Sequence, residues 1–237
     1  MSETYQHGLP LVAGGQAQKH VTVNEALARL DAVAQLRVVS KDVTIPPQDA
    51  IDGQTYMVPE GATGAWAGQE GRIALWANGG WKIVQPRIGW QAWCEASGGS
   101  MIFDGTGWIE DAVVASGSGA ATLFRIVEVD HVVAAGASSV ATGLLPAGSM
   151  VFGVTGRVVD AITGTATGWK VGVAGSIDRY GSGLGVGLNS WASGMTSQPM
   201  AYYSDTDLVL TAEGGDFAGG IVRLSVHLMQ LAMPRSV

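Results

Sequence analysis

The chain has 237 residues, 35 glycines, eight tryptophans and a single cysteine, with a formal net charge of -7. That length allows one large or two small domains with a real core, while the lone Cys94 excludes an intramolecular disulfide framework and a cysteine-rich zinc site. The acidic balance argues against nucleic acid, whose phosphates demand clusters of lysine and arginine, and no apolar run approaches the ~20 residues of a membrane-spanning helix.

Hydrophobic residues reach 47 % and charged residues only 14 %, a composition far from disorder. Residues 1–10 lack the basic and apolar regions of a secretory signal. The expectation is synthesis in the cytoplasm without a signal peptide.

The first predicted element is a helix. Thr22 and Glu25 have capping-box spacing, and Val23, Leu27, Leu30, Ala34 and Val38 follow at three-to-four-residue intervals. Such a stripe packs either on its own domain or around a symmetry axis as a short helical bundle. Ile45-Pro46-Pro47 closes this segment, because proline disfavours helix in the residue before it. Residues 1–45 are therefore read as one N-terminal segment with its helix.

Residues 46–114 read as a small tryptophan-rich β domain. Turn signals at Asp52-Gly53, Asn78-Gly79-Gly80 and Asp104-Gly105 separate short apolar segments. The stretch Leu75 to Trp81 lines up with Ile102 to Trp108 at an offset of 27 residues. Each copy reads as strand, glycine turn, then a strand opening on tryptophan, which predicts an antiparallel meander. Trp66, Trp76, Trp81, Trp90, Trp93 and Trp108 are expected mainly in its core, since large rings bury the most area in a small domain.

Residues 115–121 read as a small-residue linker. Beyond it, segments 122–133, 150–162, 168–174, 207–213 and 220–232 are rich in β-branched and aliphatic residues. Val222, Leu224, Val226 and Leu228 alternate with Arg223, Ser225 and His227. Turn signals without intervening helices predict an antiparallel, jelly-roll-like β-sandwich over 122–237. The fold class is thus mainly β: one N-terminal helix, a small antiparallel meander, then the sandwich.

The run from Leu9-Pro10-Leu11 through Gly15-Gln16-Ala17-Gln18-Lys19-His20-Val21-Thr22 to Asn24-Glu25-Ala26-Leu27 resembles a domain family of alphaproteobacterial phages, prophages and gene transfer agents. The similarity continues through Asp52 to Tyr56, Gly61 to Trp66 and Gly89-Trp90 to Trp108. Asp178 to Gly183 and Leu210 to Phe217 resemble the distal part of such proteins. The resemblance implies a virion tail-fibre protein, generally a homotrimer. Its N-terminal part would dock to the tail baseplate and its C-terminal part would meet the host surface. It carries over no catalytic residues.

Catalysis is not expected. His7, His20, His131 and His227 accompany no nucleophile motif, and no metalloprotease, serine-hydrolase or phosphate-loop pattern occurs. A capsule-degrading hydrolase would need two opposed carboxylates, and Asp178, Asp205, Asp207, Glu213 and Asp216 are the candidates for such a pair. The same carboxylates fit no calcium-loop spacing, so neither metal nor cofactor is expected. Binding is better supported, because sugars are held by aromatic rings and polar groups. Asp178, Arg179, Tyr180, Asn189, Trp191, Tyr202 and Tyr203 fall within one 26-residue span of weak strand character. They form the candidate site for a host surface polysaccharide, with Trp191 and Tyr203 as core plugs the competing reading. A purely structural tail connector is the alternative function.

Overall fold

The computed structural model describes residues 3–12 and 19–236. Gly15 to Gln18, the centre of the opening motif, lie outside the described residues. Two compact units make up the chain, Met1–Ala121 with Met233–Val237, and Thr122–Ala232.

The first unit begins with helix α1 (Lys19–Ala34). It starts a turn earlier than the capping-box spacing implies, so Thr22 and Glu25 lie within it, and Glu25 faces Lys82 at 3.6 Å. The inward face carries the buried Asp31 and Ala32 and the half-buried Ala28, with Ala32 packed on Leu75 and Ala77. Small residues are needed there because the helix lies close against a strand. The expected stripe of Val23, Leu27, Leu30 and Ala34 instead points largely away from the unit, with Leu30 53 % exposed. Val38 is not helical. It sits fully buried on β1 (Arg37–Val38), which pairs in parallel with residues Trp93 and Cys94.

Strands β2 (Thr55–Met57), β3 (Ile73–Ala77) and β4 (Gly80–Val84) form one antiparallel sheet, with a 3-10 turn at Gly64–Trp66. A second sheet joins β1 to β5 (Gln91–Cys94), β6 (Gly99–Phe103) and β7 (Trp108–Glu110), and β8 (Ala112–Ala115) follows. The 27-residue repeat is real at the level of hairpins. Trp76 opposes Trp81 across one turn, and Phe103 opposes Trp108 across the other. In the first hairpin Asn78 and Gly79 both take positive φ, the geometry a tight β turn of matching twist requires. In the second, Asp104 accepts the backbone amides of Thr106 and Gly107.

Trp66 is fully buried and packs edge-on against Trp81 with ring centres 4.8 Å apart, while Tyr56 closes the cluster. Trp93 departs from the expected core role and is 49 % exposed. The segment boundary expected at residue 45 is bridged by backbone hydrogen bonds, Val39 to Thr55 and Thr63 to Thr44. Residues 115–121 are more ordered than an open linker. Ser116 pairs its amide with the Ala120 carbonyl, and Arg235 donates to the Gly117 carbonyl. Arg235 also binds the buried carboxylate of Asp104, which ties the last residues to this unit.

The second unit is a two-sheet antiparallel sandwich. Its strands are β9 (Ala121–Val132), β10 (Ser138–Leu145), β11 (Ser149–Gly164), β12 (Gly168–Val173), β13 (Ser176–Leu184), β14 (Trp191–Tyr202), β15 (Thr206–Glu213) and β16 (Phe217–Ala232). One sheet runs β10-β15-β12-β13 and the other includes β14-β11-β16-β9 in that order. Val154, Val158, Val222, Leu224, Val226 and Leu228 point inward and meet Trp169, Val171, Leu208 and Leu210 in one core. The span read as weakly β is in fact most of β13 and all of β14. Its glycines conceal the pattern because they serve close approach. A Cβ on Gly194 would lie 1.8 Å from the Tyr180 carbonyl oxygen.

In the first unit Asp31 ties the N-terminal segment to α1. Its carboxylate accepts the Thr4 hydroxyl at 2.8 Å, the Gln6 and His7 amides at 2.8 and 2.7 Å, and faces the His7 ring at 3.0 Å. Burial works against ionisation, yet these hydrogen bonds hold the Asp31 carboxyl below its ordinary range. A carboxyl depressed on folding stabilises fully above its unfolded pKa and loses that contribution as pH falls through the folded value. Protection of the Gln6 and His7 amides against exchange, relative to the intrinsic rate at each pH, should therefore be high at pH 7 and fall in acid below the usual carboxylate range. Asp31→Ala should give low protection at both pH values.

Candidate functional site

The seven candidate residues do not converge. Tyr180 is 1 % exposed, and its hydroxyl meets that of Tyr202 at 2.7 Å. Arg179 Nη1 donates to the same Tyr202 hydroxyl at 3.2 Å. Burial, then the bond to Tyr202, raises the Tyr180 phenol well above its usual range. These two rings point into the sandwich and form a core network, so neither offers a ligand surface. Asp178 is exposed on β13. Tyr203 is 91 % exposed just beyond the end of β14.

Trp191 opens β14 at the other end and is 64 % exposed. On the straight neighbour β11, Arg157 pairs with Trp191 and Ser149 with Tyr202. Eight residues at ~3.3 Å each put the two ends roughly 25 Å apart. One monosaccharide cannot span that distance. Asn189 stays with Trp191: it takes a positive φ of 67° in the preceding turn, and its carbonyl accepts Arg157 Nη1 at 3.0 Å.

A different set of side chains surrounds Trp191. Cross-strand partners share a sheet face, and Arg157 is partnered on one side by Trp191 and on the other by Arg223. The next row holds Ser193, Thr155 and Ser225, again as register partners. From β9, Asp130 receives Arg223 through a two-pronged contact at 2.7 and 2.8 Å, and Glu128 receives the Ser225 hydroxyl at 2.6 Å. The Arg223 hydrogen bond holds the Asp130 carboxyl below its usual range. Thr155 Oγ1 lies 3.0 Å from His227 Nε2. Trp191, Arg157, Thr155 and Arg223 line a shallow depression of about 300 Å³.

Sequence reasoning missed Arg157, Arg223, Thr155, Ser193, Ser225, Glu128 and Asp130. The available signal was period-two polarity. Thr155 with Arg157, Glu128 with Asp130, and Arg223 with Ser225 are each two apart on strands whose intervening residues are apolar or small.

Three of the five acidic residues considered for catalysis bind backbone amides instead. Asp205 accepts the Ala147 amide and Asp207 the Gly143 amide, both at 2.8 Å. Glu213 accepts the Gly183 amide at 2.8 Å and lies 3.5 Å from Lys170. His131 contacts Ser139 at 2.7 Å, but that serine is buried and already accepts the Ala134 amide. Among the described residues, no three His, Cys, Asp or Glu side chains gather as a metal site. Nor is any helix among them long and apolar enough to cross a membrane.

The other exposed feature is the outward stripe of α1. Beside it lies a depression of about 420 Å³ bordered by Ala26, Leu30, Val33, Val84 and Trp90.

Residues 23–109 match a family described as Protein of unknown function (DUF2793). No curated protein matches the chain. Among solved structures, the chain is similar to one titled "Cyanophage Pam1 capsid asymmetric unit", at 24 % identity over 47 % of this chain and 84 % of that one, with a TM-score of 0.30.

Because Tyr180 belongs to the core network, Tyr180→Phe should lower stability by about 1 kcal/mol, the net worth of a buried hydrogen bond. Denaturant unfolding checks the loss.

Proposed function

We propose that the protein is a tail-fibre component of a phage-like particle that binds a saccharide on the host surface through the sheet face around Trp191. The observation that carries the binding half is the Trp191 indole, lying open on a strand whose neighbours present guanidinium and hydroxyl groups. An indole in that setting offers a flat apolar platform for the C–H face of a pyranose, while adjacent donors and acceptors take its hydroxyls. Exposed aromatic surface of this kind marks contact sites on soluble proteins. The tail-fibre half is supported by the resemblance of the first ~110 residues to a phage and gene-transfer-agent family, docking the tail baseplate through the first unit.

Nothing in this face resembles hydrolytic machinery. A glycosidase acid must stay protonated near neutrality, whereas Asp130 is held ionised by Arg223. We therefore read the protein as a binder that uses no metal or cofactor, not as an enzyme.

Assembly as a homotrimer is part of the same reading. The Val23, Leu27, Leu30 and Ala34 stripe is too exposed to serve its own unit, and burying it against two copies suits a short helical bundle. Three weak sugar sites on one fibre then act by avidity.

A connector role has its own supporting observation. Phe124 stacks on Phe152 with ring centres 5.6 Å apart and planes 8° from parallel, and Ile126 beside it on β9 is exposed. Such a patch suits a protein partner better than a sugar.

Two variants of the full chain test the proposal. Trp191→Ala should keep its circular dichroism and oligomeric state while host-cell adsorption falls at least tenfold; unchanged adsorption removes the site. Leu30→Lys should convert the trimer to monomer in light scattering, and an unaltered mass removes α1 from the interface.

A further inference from the structure

We infer that the saccharide taken by the Trp191 face carries a carboxylate, as a uronic acid does, and that Arg157 is the residue that selects it. This rests on the reading of Trp191 as a sugar platform and adds the chemical class of the sugar.

The argument begins with a charge imbalance. Arg157 and Arg223 are register partners on β11 and β16, so two guanidinium-bearing side chains project from the same face on adjacent strands. Partners in such a position have Cβ atoms ~5 Å apart, and like charges directly opposite each other are destabilising. Only one of the two is compensated. Arg223 is gripped by both oxygens of Asp130, with Glu128 at 3.9 Å from its Nε. Arg157 has no carboxylate within 4 Å among the described residues, and its one hydrogen bond there runs from Nη1 to the Asn189 carbonyl.

That single bond fixes the guanidinium without neutralising it. The Nε–Nη2 edge is left with no protein partner among the described residues. This edge is a planar pair of donors, and the acceptor it matches is a carboxylate taken bidentately. The acids of the same face cannot supply it. Asp130 and Glu128 lie on β9, two strands and ~10 Å beyond β11 in the sheet order, and both are already engaged.

Geometry then links the anion to a sugar. Trp191 is the register partner of Arg157 on the other side. A pyranose stacked on the indole keeps its equatorial substituents near the ring plane, pointing outward past the edge of the platform. The C5 carboxylate of a hexuronic acid is equatorial in its ordinary chair. A donor edge one strand away therefore meets that carboxylate while the ring stays stacked. Ser193 and Thr155, in the next row, are placed for neighbouring hydroxyls.

The experiment uses the full-length protein and four polymers immobilised for surface binding: polygalacturonate, its fully methyl-esterified form, neutral dextran and phosphomannan. The wild type should bind polygalacturonate at least tenfold more tightly than its ester. Arg157→Gln should abolish that preference, bringing polygalacturonate binding down to no more than that of the ester measured with the same variant. Arg157→Lys, which keeps the charge but loses the fork, should retain only part of the preference, and melting curves of both variants establish that the sandwich is intact. A preference that survives in Arg157→Gln, or phosphomannan bound in place of polygalacturonate, overturns the inference. If Trp191→Ala then still abolishes binding, the sugar platform stands and only its selectivity was misread. If the wild type binds none of the polymers, both the platform and the inference fall.

Discussion

The second unit depends on the long antiparallel ladder between β11 and β16. Its register pairs Val154 with Val226, Gly156 with Leu224 and Val158 with Val222, so one face of both strands is committed to the core. Once those pairs are buried, the period of two leaves no choice for the residues between them. Thr155, Arg157, Arg223 and Ser225 must share the opposite face, and β14, hydrogen-bonded to the far side of β11, must set Trp191 and Ser193 beside them. Turning these faces over would bury two arginines and expose four valines and a leucine. At ~25 cal/mol per Å² of apolar surface, that loss would exceed the whole stability of a domain of this size. The polar face is thus a consequence of the core, and its side chains are positioned as rigidly as the core is.

The first unit achieves order by a different device, in which buried carboxylates receive chain segments. Asp31 collects the N-terminal segment through four contacts, and Asp104 both closes its own hairpin turn and takes Arg235 from the other end of the chain. A buried carboxylate is costly when unpaired but strongly orienting when every lone pair is occupied. Short strands of two to five residues give little ladder energy, so such anchors and the Tyr56–Trp66–Trp81 cluster carry much of the specification.

Legibility in the sequence followed the same physics. β16 could be read directly, because its alternation of Val222, Leu224, Val226 and Leu228 with polar residues is uninterrupted. The two hairpins could be read from a repeat whose conserved content is an aromatic pair flanking a glycine turn. β13 and β14 could not. Their glycines at 181, 183 and 194 remove the side chains that would show a period, and Gly194 is small because the Tyr180 backbone occupies the space a Cβ would take. The dispersal of the seven candidate residues has the same origin. A span of sequence that looked like one loop is two strands, and extended chain carries Trp191 and Tyr203 apart where a loop would have gathered them. The helix stripe was found correctly as a pattern, yet periodicity does not state which way a stripe faces. Ala28 and Ala32, less apolar in appearance than Leu27 and Leu30, won the inward face because β3 lies too near for larger residues.

These arrangements bear on how a weak site becomes a useful one. A flat sheet face offers a sugar one stacked ring and a few hydrogen bonds, and much of that gross energy goes to immobilising the ligand. Enclosure would strengthen it, but the ladder that positions Arg157 and Trp191 also keeps the face flat, so depth is not available at the same place. Multiplicity is the remaining route. In a symmetric assembly the rigidity of the sandwich becomes an advantage, since sites held at fixed spacing lose less freedom when a repeating polymer engages them together. A polymer with an ionised sugar at regular intervals would meet one uncompensated guanidinium per subunit, and each such contact is worth more as the water between indole, arginine and sugar is displaced. On the proposed reading, the unpaired charge of Arg157 would be a selective element, favouring a polyanion whose carboxylate rides on a ring that can stack on Trp191.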